Sequence, residues 1–267
     1  DTLLYGTIAH ELKKKSNICL ELNSYYPELF LNNPDIDIIS ATLRRQKILR
    51  KRLPPSNLLS PRYWTGDGSK PDKHILSILC EKAGIEHGIN FKTYIYLTKR
   101  EVESVPVQLR NCIAIQSYGK PSWGINKNWD PNKYQGVVDH FRKDICFIQL
   151  GNAGDPPLEG CIDMRGKTSL RYAASILFWS RCFVGQVGAL MHLSRAVNLK
   201  SVIVYGGFEA PWQSGYDLNI NLYSELICSP CWKMEGCTSH ECMEKISSEI
   251  VIDAVNHILN TSKRPIE

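Results

Sequence analysis

No stretch of this 267-residue chain is apolar for long enough to cross a membrane as a helix, and none reads as a secretory leader. The expected compartment is therefore the cytoplasm. There is no G-x-G-x-x-G after an apolar strand, which argues against an NAD-dependent oxidoreductase. Internal repeats and low-complexity tracts are also missing, so neither a solenoid nor a disordered tail is expected. Charge of neither sign dominates. The balance of 32 Lys and Arg against 27 Asp and Glu leaves +5, which suits an anionic substrate or an acidic membrane surface and does not call for nucleic acid. The most basic run, T-L-R-R-Q-K-I-L-R-K-R-L-P-P-S at 42–56, has no interleaved aromatic residues for stacking bases. It reads as a solvated loop or helix face, with attraction to a phosphorylated acceptor or to anionic lipid as the functional alternative.

What is present is an alternation of short apolar strands and amphipathic helices, in a chain long enough for two modest domains. Residues 1–15 have Leu4, Ile8 and Leu12 on one helical face, with Lys13, Lys14 and Lys15 at the favourable end of the helix dipole. Strands are expected at 17–22, after N-N-P-D at 32–35, and at 93–97, with a helix at 74–83. No strand precedes Asp1, so the alternation opens one element late. A charged, proline-interrupted segment at 98–110 marks the boundary between domains 1–104 and 105–267.

The second domain opens with a strand and glycine turn, N-C-I-A-I-Q-S-Y-G. Asp130-Pro131 then reads as a cap followed by proline at the first helical position, with Tyr134, Val137, Val138 and Phe141 on the buried face. A strand at 145–150 precedes a short Gly/Pro loop in which Asp155 and Glu159 are the available acids. From 163 to 206 the chain packs a loop, a helix capped by Thr168 or Ser169, a strand at 182–184, a small-residue turn at Gly185, Gly188 and Ala189, a second helix and a strand at 202–205. Strand, glycine turn and helix is an arrangement that aims free backbone N–H groups at an anion.

There are ten cysteines. Cys19, Cys80, Cys146 and Cys182 lie in apolar contexts and read as buried thiols. Cys228, Cys231, Cys237 and Cys242, spaced C-x2-C-x5-C-x4-C around His240, are compatible with a tetrahedral structural zinc site, with two disulfides or free thiols as the rival readings.

Several of these stretches, taken in order, resemble glycosyltransferase family 9, the heptosyltransferase-like enzymes. The matches are Gly166–Leu170 (G-K-T-S-L), Phe183-Val184-Gly185, Met191-His192-Leu193, Lys127 with Trp129 in a K-x-W motif, and Asp1-Thr2-Leu3-Leu4. The resemblance covers nearly the whole chain and is densest from 113 to 243. It implies a GT-B architecture, two Rossmann-like domains facing across a cleft, with the N-terminal one lacking its first strand here. It also implies an inverting transfer that needs no metal or other cofactor. The donor would be a nucleotide-diphosphate sugar, ADP-heptose by family default, and the acceptor a saccharide or lipid-linked glycan. Peripheral contact with the inner face of a membrane would follow from such an acceptor.

Carried over residue by residue, the resemblance makes Asp1 the general base. Ser122 and Lys127 would face the donor phosphate, together with Thr168, Ser169 and the turn Gly188, Ala189, Leu190, Met191 and His192. The chain departs from the family pattern at Val187, where an acid is usual, and in the short loop after Leu150. A nucleotide- or sugar-binding protein without transferase activity, or another GT-B enzyme such as a nucleotide-sugar epimerase, is the alternative. The cysteine cluster also has family counterparts, which do not name what it holds.

Overall fold

The computed structural model describes residues 2–16, 18–42, 48–51, 58–59, 62–63, 70–119 and 124–261. The described chain divides into two compact units, one of Asp1–Thr98 with Trp212–Tyr216 and one of Lys99–Pro211 with Asp217–Glu267. No helix among the described residues is long and apolar enough to cross a membrane.

The first unit begins with α1 (Leu4–Lys15), whose Leu4, Ile8 and Leu12 are buried as the periodicity predicts. Its sheet has the order β2-β1-β3-β4, formed by β1 (Leu20–Ser24), β2 (Ile38–Ala41), β3 (Ile48–Lys51) and β4 (Leu58–Leu59). Strands β1 and β2 run parallel, and β3 is antiparallel to both β1 and β4. The basic run at 42–56 therefore contains a strand where a loop or helix is expected from its charge. Helix α2 (Ile75–Lys82) follows and buries Ile75, Leu76, Leu79 and Cys80. The strand expected at 93–97 is not among the strands of the described residues.

The second unit starts with α3 (Lys99–Glu103), followed by β5 (Ile113–Ile115), α4 (Pro131–Phe141), β6 (Phe147–Gln149), β7 (Cys161–Asp163), α5 (Leu170–Trp179), β8 (Cys182–Gln186), α6 (Ala189–Ala196) and β9 (Ser201–Gly206); after α7 (Pro211–Ser214), which falls mostly in the first unit, it continues with β10 (Asn219–Tyr223), α8 (Glu241–Glu244) and α9 (Ser248–Thr261). The six strands are ordered β10-β9-β8-β5-β6-β7, and every pairing is parallel. This is the doubly wound order. The chain builds outward from β5 to β6 and β7, then returns through α5 to add β8, β9 and β10 on the other side. Helices cover both faces of such a sheet, so the strands are apolar along their length; β8 and β9 are buried at every position. One face packs under α4 and α9, where Tyr134, Val137, Val138, Val251, Val255 and Ile258 meet Ile113, Phe147, Val184 and Val202.

The parallel pairing of β5 with β6 also brings the residues just ahead of them together. Cys112 and Cys146 stand with Cα atoms 4.7 Å apart and their sulfurs joined in a disulfide. This corrects the reading of Cys146 as a free buried thiol. Cys19, Cys80 and Cys182 are free, with Cys80 and Cys182 buried. Burial pushes the Cys80 and Cys182 thiols up to about 12, which keeps them protonated and inert.

Candidate functional site

The strand order reverses between β5 and β8, and the carboxyl ends of those two strands are where a doubly wound sheet leaves a crevice for ligand. β8 ends at Gln186, and Val187 and Gly188 turn the chain into α6. Gly188 stands at the N-cap with extended backbone and has no side chain to occupy the first-turn N–H groups. Such first-turn donors and the positive end of a helix are what an anion meets at a turn of this kind. The side chains of Leu190 and Met191 are buried, and Met191 Sδ accepts the Tyr205 hydroxyl at 3.6 Å. At these positions the side chains belong to the core. His192 is 4% exposed, one turn into the same helix.

Lys127 ends a 3-10 turn (Ile125–Lys127) entered through Gly124 at φ 105. A side chain at Gly124 would press on the Phe208 ring at 3.2 Å, so glycine is needed there both for its backbone angle and for the close approach. The Lys127 ammonium lies 4.6 Å from the centre of that ring and is ion-paired with Glu209, a buried acid just beyond β9. The next residues lock the loop in place. Trp129 is buried, donates from Nε1 to the Ile246 carbonyl at 2.9 Å, and stacks edge-on against Tyr134. Asp130 accepts from the Asn132 N–H and caps α4, with Pro131 at the first position, as the sequence predicts. Trp129 is thus an anchor for the lysine loop.

Asn128 and Gln186 were not singled out from the sequence, yet they meet here. Gln186 Nε2 donates to Asn128 Oδ1 at 2.7 Å, and the Gly119 N–H donates to the same oxygen at 2.7 Å. Glu209 was missed as well. Its sequence signal is slight, an acid three positions beyond a strand that ends in glycine.

Other expected residues have different placements. Asp1 and Ser122 lie outside the described residues. Ser169 is the N-cap of α5, its hydroxyl accepting from the Tyr172 N–H at 3.1 Å, so its oxygen is engaged in the fold; Thr168 precedes it. Asp155 turns inward, accepts from the Asn152 N–H at 2.8 Å and closes the loop after β6, where burial raises its carboxyl above the usual range. Glu159 is exposed. The acid of that region with a strong electrostatic partner is Asp163, gripped at both oxygens by Arg165, which holds its carboxyl far below the usual carboxylate range.

The zinc set expected from Cys228, Cys231, Cys237 and Cys242 is not assembled: among the described residues no group of three or more His, Cys, Asp or Glu is arranged to hold a metal ion. The segment is organised around Gly207 instead. The Cys231 N–H donates to the Gly207 carbonyl at 3.0 Å, and a side chain at Gly207 would meet Cys242 Cβ at 2.9 Å. Burial, with Cys231 and Cys237 nearby, raises the Cys242 thiol above its ordinary value. His240 is bonded through Nε2 to Asn126 Oδ1 at 2.8 Å.

No protein-family model matches the chain, and no curated protein matches it. Among solved structures, it is similar to ADP-heptose LPS heptosyltransferase II of E. coli, with 15% identity and a TM-score of 0.57, over 72% of this chain and 63% of that one. A family 9 glycosyl transferase from Veillonella parvula is similar at 16% identity and a TM-score of 0.54, over 73% and 62% of the two chains. The dodecameric, iron-containing heptosyltransferase TibC, solved in complex with ADP-D-beta-D-heptose, is similar at 14% identity and a TM-score of 0.60, over 75% and 58%. The chain spans less than two thirds of the length of each of these three structures. At these identities the likeness is one of fold: the chain folds as family 9 heptosyltransferases do.

Proposed function

We propose that this chain is a glycosyltransferase that takes a sugar from a nucleoside-diphosphate donor held by the second unit. The observation that carries the reading is the pairing of an open helix N-terminus at Gly188 with a buried-edge cation, Lys127, at the β5/β8 switch point of a sheet folded like those of heptosyltransferases. When the bond to the anomeric carbon breaks, negative charge grows on the departing diphosphate. Fixed N–H dipoles and an ammonium already oriented toward that position stabilise it without reorganisation. In this reading Glu209 holds Lys127 in place until the diphosphate shares it.

By the same resemblance the donor is ADP-heptose or a related nucleotide sugar, and the acceptor a saccharide or lipid-linked glycan reached at a membrane surface. The transfer inverts the anomeric centre, with Asp1 as the base that deprotonates the acceptor hydroxyl, and proceeds without metal.

Calorimetric titration with ADP, UDP, GDP and CDP, on the wild type and on Lys127→Ala, tests the donor site. Selective binding of one diphosphate, weakened about 10- to 100-fold in the variant, is the expected result. Binding of none of them overturns the reading. A second reading, a protein that holds a nucleotide sugar without transferring it, is favoured by Val187, an apolar buried side chain where the family pattern has an acid. Donor binding with no transfer to any glycan acceptor would decide for it.

A further inference from the structure

Gln186 is 1% exposed, and its amide is bonded at one end. A backbone N–H can only donate, so the Asn128 atom that receives the Gly119 N–H is the oxygen. The Gln186 atom facing that same oxygen must then be its NH2 group, and the orientation of both amides is fixed without appeal to density. What remains is Asn128 Nδ2, a donor, and Gln186 Oε1, an acceptor. Both are shielded from water and without a hydrogen-bond partner. Buried polar groups are ordinarily satisfied, and two orphans on one bonded amide pair at the carboxyl end of β8 call for a ligand.

We propose that Asn128 and Gln186 read hydroxyl groups of the transferred sugar. Gln186 Oε1 is a carbonyl oxygen, which repels a phosphate and requires a group that donates. Nδ2 requires one that accepts. A sugar hydroxyl does both. Position agrees with chemistry: Asn128 follows Lys127 directly, and Gln186 lies two residues before Gly188, so the amides flank the two features assigned to the diphosphate. The inference rests on the donor-site reading above and adds a residue-level account of which part of the donor selects.

The test is titration of the wild type and of Gln186→Met, a shape-preserving change, with ADP, UDP, GDP and CDP and with ADP-heptose, ADP-glucose, UDP-glucose, GDP-mannose and CDP-glucose. In the variant, the diphosphate that binds wild type should keep its Kd within about twofold, while the corresponding nucleotide sugar should weaken about 10- to 100-fold. Retained diphosphate binding also shows that the variant is folded. Asn128→Ala, which removes the other half of the pair, should give the same split. Equal loss of diphosphate and nucleotide sugar overturns the assignment, because the amides would then serve the ribose, base or phosphate. Unchanged binding of both overturns it too, as does a wild type that binds a diphosphate but none of the conjugates. A wild type that binds no diphosphate sinks the donor-site reading itself.

Discussion

Lys127 and Glu209, 82 residues apart in the chain, form an ion pair in which the carboxylate is almost fully buried. One sits in the loop between β5 and α4, the other just past β9, so the pair ties together loops from both sides of β8. Removing the cation alone takes its ion-pair partner from a buried carboxylate. Lys127→Ala should therefore cost about 2–3 kcal/mol of stability in denaturant titration, beyond its effect on ligand. The double change Lys127→Met with Glu209→Gln should recover most of that loss while still failing to bind diphosphate. Glu209→Gln alone frees the ammonium and should tighten diphosphate binding a few-fold, measured by calorimetry. Weaker binding in Glu209→Gln would mean that the acid positions the lysine and does not compete for it.

His74 couples the first unit to pH. Its Nδ1 accepts the Leu76 N–H at the start of α2, its Nε2 donates to the Gly215 carbonyl at 3.0 Å, and its ring stacks on Phe91 at 3.9 Å. With Nδ1 used as an acceptor, the neutral ring is the one that fits. Burial, partly offset by the Gly215 bond, lowers its pKa to about 4. The unfolded chain takes up the proton near pH 6.5, before the folded chain does. Stability should thus fall by up to about 3 kcal/mol as pH drops from about 6.5 to 4, and level off below. His74→Asn, which can still cap α2, should flatten this slope in denaturant melts at stepped pH. An equal slope in the variant would move the effect to other groups.

The doubly wound unit was largely legible because its signals are local. Alternation of apolar strands with helices, Asp130-Pro131 at the start of α4 and the small-residue turn into α6 are each written within a few consecutive residues. β7 was not expected: three residues, Cys161–Asp163, are too few to show a period. The first unit misled in two places for a related reason. Charge at 42–56 argued for a solvated face, yet Ile48–Lys51 pairs antiparallel with strands on both sides. The apolar–polar alternation at 93–97 is not matched by a strand among the described residues. In the site, Lys127 and Gly188 were found by motif. Glu209, Asn128 and Gln186 act through contacts 58 or more residues away, and no local pattern announces them.

The cystine is another non-local feature, its halves 34 positions apart, and it yields a direct count. Alkylation of the denatured, unreduced protein followed by mass measurement should label eight thiols, and ten after reduction. If the bond contributes as a loop of this size does, reduction should lower stability by about 3–4 kcal/mol. Ten labelled thiols without reductant would show that Cys112 and Cys146 stay reduced in solution.

Gly119 offers an independent route to the amide pair. A methyl group there would stand 2.0 Å from Gln186 Nε2, the tip of a flexible side chain, and 3.2 Å from Asn128 Oδ1. The amide tip yields more readily than the backbone, so Gly119→Ala should swing Gln186 aside and break its bond to Asn128 at a cost of about 1 kcal/mol. No atom assigned to the diphosphate is touched. The variant should therefore reproduce the Gln186→Met pattern in calorimetry, with bare diphosphate bound as in wild type and nucleotide sugar weakened. If both ligands bind as in wild type while a crystal structure of the variant shows Gln186 displaced, the amide takes no part in ligand recognition.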